Sequence, residues 1–109
     1  MSADAPVKLK DFAAWLNEMP PGPSSFITTG VVVTPTTGWT VRLVEAHPQG
    51  INPLVKLLEL QVTAPTGIVA QHVTDVAVRY EERPTKARYA TAEVLYGHMA
   101  LQLPVRSAT

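Results

Sequence analysis

Few residues in this chain could do acid–base or metal chemistry, and their spacing limits what they can do. Three histidines, His47, His72 and His98, fall in a loop, in a strand and at a turn, never at the short separations of a zinc site. His72 and Asp75, three residues apart, could act as a base and its orienting group, and with Glu45 they are the candidates for a small enzyme. The serines Ser2, Ser24, Ser25 and Ser107 lie near the ends or in a linker, outside any nucleophile-elbow context. Cysteine is absent, which excludes disulfides, thiolate metal sites and a cysteine nucleophile. No glycine pair has the spacing of a phosphate-cradling loop. Glu81 and Glu82 are strand neighbours and point to opposite faces, as part of a solvated rim with Arg79, Arg83, Lys86 and Arg88. Glu45, Glu59 and Glu93 each interrupt an apolar strand and are expected to face solvent. No catalytic centre, cofactor or metal is therefore expected.

Positioning any site falls to a single domain. The chain has 109 residues, 46% hydrophobic and 17% charged, a globular balance with enough length for one core. Nine basic side chains offset nine acidic ones, so no broad field invites nucleic acid. No apolar run approaches the ~20 residues that span a bilayer. Met1-Ser2-Ala3-Asp4 lacks the basic and apolar start of a signal peptide, and a cytoplasmic location is expected.

Ten prolines punctuate the elements. The spacing of Leu9, Phe12, Ala13, Leu16 and Met19, widened by Trp15, predicts an amphipathic helix over residues 7–19, begun by Pro6 and ended by Pro20-Pro21. A stiff proline-rich linker follows, so residues 1–24 are read as helix and linker and residues 25–109 as the β domain. Beyond it the period is that of strands. Phe26–Thr34 is β-branched, Trp39, Val41 and Leu43 alternate with polar residues, and Leu58, Leu60 and Val62 mark a central strand. In Ile68–Glu82 the apolar phase shifts, which requires a bulge, a sheet switch or a turn at Thr74-Asp75. Tyr89–Leu95 and Met99–Val105 form a hairpin about Gly97. The expected fold is a small, all-antiparallel, immunoglobulin-like β-sandwich of six to seven strands after one helix. Its expected core is Trp39, Val41, Leu43, Leu58, Leu60, Val62, Val76, Val78, Leu101 and Leu103.

The turn Pro35-Thr36-Thr37-Gly38, followed by Trp39, resembles one loop of the chagasin-type inhibitors of papain-like cysteine proteases. That loop usually reads Asn-Pro-Thr-Thr-Gly and then an aromatic; Thr34 stands here at the asparagine. The family's last loop, Arg-Pro-Trp, has Arg83-Pro84-Thr85 as its counterpart, without the tryptophan. Its glycine-rich middle loop is matched only by Ala64-Pro65-Thr66-Gly67. The resemblance implies an immunoglobulin-like sandwich whose three loops at one end plug a protease cleft.

The leading expectation is a non-catalytic binding or scaffold domain that acts through protein–protein contacts or self-association, with neither nucleic acid nor membrane as partner. Its contact residues would be Pro35, Thr36, Thr37, Gly38, Pro65, Thr66, Arg83 and Pro84 on the loops, and Phe12 and Trp15 on the helix. If Thr74-Asp75 reverses the chain, the three Pro-Thr loops share one end as a platform of exposed hydroxyls. If it is a bulge, the third loop moves to the opposite end.

Overall fold

The computed structural model describes residues 7–108, and among them there is no helix. Seven strands follow in order: β1 (Lys8–Asn17), β2 (Ser25–Thr34), β3 (Thr40–Glu45), β4 (Val55–Thr63), β5 (Thr74–Glu82), β6 (Thr91–Tyr96) and β7 (Met99–Ala108). The expected N-terminal helix is instead β1, paired along its length with β2. A bulge explains the misleading spacing. The register slips between Lys10 and Ala13, and Asp11 adopts the left-handed region at φ 58°. One extra residue turns the inward row into Leu9, Phe12, Ala14, Leu16, whose first step of three imitates a helical stripe. Phe12 lies over Gly30 of β2, where any side chain would collide with the ring. The expected start of the helix at Pro6 lies outside the described residues.

The strands form one curled sheet in the order β3-β4-β6-β7-β1-β2-β5. Its two edge strands, β3 and β5, touch, so the sheet is nearly closed like a barrel. β7 joins the two halves: Met99–Pro104 pairs with β6, and Val105–Ala108 pairs with β1. Pro104, which has no N–H to donate, stands where the partner changes. The expectation of purely antiparallel pairing fails at two places, since β1–β7 and β4–β6 are parallel. A parallel pair needs a long crossover, and β5 supplies it by leaving β4 to pair with β2 before the chain returns as β6. The β6–β7 hairpin forms as expected, with Gly97 at φ 57° in the turn.

Within Ile68–Glu82, where an irregularity is expected at Thr74-Asp75, regular structure begins only at Thr74. Thr74-Asp75 is therefore neither a chain reversal nor a bulge within a strand. Val69 and Val73, which created the apparent phase shift, lie in the preceding loop, where Val73 stands exposed. Of the expected core, Leu43, Leu58, Leu60, Val78 and Leu103 are buried, with Val41, Val62 and Leu101 packed against them. Trp39 and Val76 are half-buried. The centre belongs to Phe26, fully buried and edge-to-face with Tyr80 and Tyr89 at 6.1 and 5.0 Å between ring centroids.

Among the described residues, one core position is polar without a partner. Thr28 is 0% exposed, and its Oγ1 has no hydrogen-bond partner. A buried hydroxyl of this kind costs about 1–3 kcal/mol, and valine has nearly the same shape. Thr28→Val should therefore raise the urea midpoint without changing the slope of the transition. A lowered midpoint would show that the hydroxyl is satisfied in solution.

Candidate functional site

The loops of the expected platform lie at two ends. β2 and β5 run antiparallel with Thr34 opposite Thr74 and Phe26 opposite Glu82, so the turn after Thr34 and the loop after Glu82 are at opposite ends of the pair. The turn Pro35–Gly38 does meet the 64–73 loop. Thr37 N donates to Ala70 O at 3.2 Å, and Ala70 N donates to Thr37 Oγ1 at 3.1 Å. Gly38, at φ +88°, is held where a Cβ would lie 3.0 Å from both Pro65 and Val69. Trp39 Nε1 donates to Thr36 Oγ1 at 2.9 Å. The Thr36 and Thr37 hydroxyls brace this loop pair. Arg83 and Pro84 are exposed at the far end, while Phe12 turns into the core and Trp15 is half-buried. This two-ended arrangement lacks the three-loop geometry of a cleft-plugging inhibitor.

The expected acid–base constellation is also dispersed. His47, His72 and His98 are all exposed, and Asp75 is paired with Lys10 at 3.0 Å. Glu45 belongs near Glu82, at the other end of β5 from Asp75, about 23 Å along the strand. Among the described residues, no group of three or more His, Asp or Glu side chains could hold a metal ion.

The structure assembles a different cluster. The inward rows of three strands each end in a charged residue: Val41, Leu43 and Glu45 on β3; Lys56, Leu58 and Leu60 on β4; Val76, Val78, Tyr80 and Glu82 on β5. Lys56 is 1% exposed, and its Nζ lies 2.9 Å from Glu82 Oε2 and 3.2 Å from Glu45 Oε2. It also lies 5.7 and 5.4 Å from the ring centroids of Tyr80 and Tyr89. Glu82 Oε1 accepts from the Tyr89 hydroxyl at 2.8 Å and from Lys86 N at 3.0 Å. Glu45 is less enclosed, and Lys86 Nζ approaches its other oxygen at 3.7 Å. The expectation that Glu45 faces solvent, and that Glu82 belongs to a solvated rim, is corrected by this arrangement.

Electrostatics follow from the contacts. Burial pushes the Glu82 carboxyl up, but the Lys86 N–H, Lys56 and the Tyr89 hydroxyl outweigh it and hold it below the usual carboxylate range. Burial acts on Glu45 in the same sense and is overcome by Lys56. Burial would lower the Lys56 ammonium, yet its bonds to Glu82 and Glu45 hold it above the ordinary lysine value. The Tyr89 hydroxyl, buried and donating to Glu82, is pushed up to about 12. The resting cluster is thus ionic, with Lys56 between two carboxylates. A cavity of about 190 Å³ adjoins it, lined among others by Glu45, Gln49, Asn52, Lys56, Lys86 and Tyr89. Gln49 shapes this wall by donating to the carbonyls of Ala46 and Leu57, each at 2.7 Å. Sequence reasoning missed the cluster, although each member continues the alternation of an apolar strand.

A second feature lies where β1 and β7 part. Among the described residues, β1 from Lys8 to Ala13 pairs only with β2, and β7 from Met99 to Pro104 pairs only with β6. Between them opens a cleft of about 460 Å³ whose lining includes Leu9, Val94, Tyr96, Met99 and Leu101. Its floor is inward-facing core residues, and Met99 at its rim is 61% exposed. The chain matches no protein-family model, no curated protein and no solved structure.

Proposed function

We propose that this protein is a non-catalytic, protein-binding domain that takes an extended apolar segment of a partner into the cleft between β1 and β7. The observation that carries the reading is the cleft's pair of walls. Among the described residues, Lys8–Lys10 and Met99–Gln102 have no strand partner on the cleft side, above a floor of apolar side chains. Backbone groups of this kind are satisfied by another extended chain, while alternate side chains of that chain fill the floor. Because β1 and β7 are parallel, a strand between them can run antiparallel to both. The bulge at Asp11 and the proline at 104 end the slot below, which suits a short segment. The two halves of the sheet, joined through β7, serve as the sandwich-like support.

The test is selection from a displayed library of short extended peptides against the full chain. Enriched peptides should alternate apolar and polar residues. Their affinity should fall at least about tenfold, roughly 1.4 kcal/mol, in Met99→Lys, whose exposed position leaves the core intact. No enrichment, or binders indifferent to Met99→Lys, would overturn the reading.

A further inference from the structure

We propose that Lys56 and Glu82 condense to an intramolecular amide, with Glu45 as the proton carrier, making this cluster a self-modification site that links β4 to β5. The geometry contains each part such a reaction needs. Lys56 Nζ lies 2.9 Å from Glu82 Oε2, one bond away from the carboxyl carbon that it must approach to about 3–3.5 Å for attack. The opposite oxygen, Oε1, already accepts from the Lys86 backbone N–H and the Tyr89 hydroxyl at 3.0 and 2.8 Å. Two donors on the oxygen that gains charge during attack are the arrangement that stabilises a tetrahedral intermediate. Glu45 Oε2 lies 3.2 Å from the same nitrogen. Nucleophile, electrophile, oxyanion donors and base are thus gathered around the Lys56–Glu82 pair, at one end of a nearly closed sheet.

The balance is as follows. The Lys56 ammonium passes one proton to Glu82 Oε2, leaving a neutral amine beside a neutral carboxylic acid. The nitrogen lone pair attacks Glu82 Cδ, and the negative charge gathers on Oε1. The nitrogen gives a second proton to Glu45, which returns it to the Oε2 hydroxyl. The Cδ–Oε2 bond breaks, water leaves and the Nζ–Cδ amide remains, with no oxidant, reductant or activated group required. The resting ion pair makes the neutral pair the minor form, so the reaction is a slow, single maturation event. Its driving force is the replacement of two buried charges by one uncharged amide, in a setting where the released water can escape through the adjoining cavity.

Intact mass of the denatured full chain decides the matter, after incubation at neutral pH and with any loss of Met1 accounted for. The expected mass is short of the sequence mass by one water, and proteolytic fragments containing residues 56 and 82 should travel as one branched species. Lys56→Arg keeps the positive charge but supplies no amine, and its mass should equal its sequence mass. Glu45→Gln should fold, by circular dichroism, and accumulate the branched species at least about tenfold more slowly, as expected for loss of a general base. A wild-type chain that keeps its full sequence mass would overturn the proposal. So would a missing water that maps elsewhere. A Glu45→Gln chain that condenses at the wild-type rate would remove Glu45 from the mechanism.

Discussion

Deleting residues 1–17 should leave a chain with no cooperative unfolding transition. β1 lies between β7 and β2, and removing it exposes an edge on each. It also withdraws Ala14 and Leu16 from the core, together with Leu9 and Phe12 packed against them. Loss of a single large buried side chain costs about 2–5 kcal/mol, and a domain of this size holds about 5–15 kcal/mol in total. Four apolar side chains and two strand pairings exceed that margin. The measurement is a thermal melt with amide-proton dispersion in the spectrum of the truncated chain. A helix lying on the surface would instead leave a folded, less soluble remainder. A cooperative melt near that of the full chain would therefore contradict the placement of β1.

Lys56→Met should destabilise the domain by about 3–5 kcal/mol at pH 7, measured by urea unfolding. Methionine fills much of the lysine's volume, so packing is largely conserved and the effect comes from leaving Glu82 buried without its cation. The pH dependence identifies this cause. In the ionic wild type, Glu82 and Glu45 have carboxyls lowered by folding, so their contribution is present above the unfolded value of about 4.3 and is lost as pH falls. Lys56 is raised, so its contribution is present below the unfolded value of about 10.4 and fades above it. Tyr89 adds a second alkaline loss, from its unfolded value of about 10 up to about 12. Stability should thus be level between roughly pH 5 and 9.5 and decline on both sides. In Lys56→Met the acid limb should reverse, because a buried Glu82 without its cation is raised and gains stability on protonation. A variant with wild-type stability, or with an unchanged acid limb, would show that Lys56 and Glu82 are not coupled as described. A chain already joined by the amide would titrate neither group, and its acid decline would come from the remaining carboxylates.

The mainly β architecture was legible in the alternation of Val41 and Leu43, of Leu58, Leu60 and Val62, and of Val76 and Val78, because a strand with one buried face repeats every two residues. The prolines and glycines placed the turns, since their backbone restrictions act locally whatever the rest of the chain does. β1 was not legible, because its bulge is a property of the pair: one extra residue opposite Gly30 produced a step of three that sequence alone reads as helical. Nor could the sequence decide that Ile68 and Val73 lie in a loop, or that β4 pairs with β6 in parallel, since both depend on where β5 finds its partner. The site followed the same division. Parity places Glu45, Lys56 and Glu82 on the inward rows of their strands, yet charge alone reads Glu45 and Glu82 as solvent-facing, so sequence reasoning missed them. Their meeting within 3.2 Å of one nitrogen was decided only by the curling of the sheet, which brings β3 and β5 together across the end of the core. Local pattern determines which face a side chain takes, and only closure of the sheet determines what it meets there.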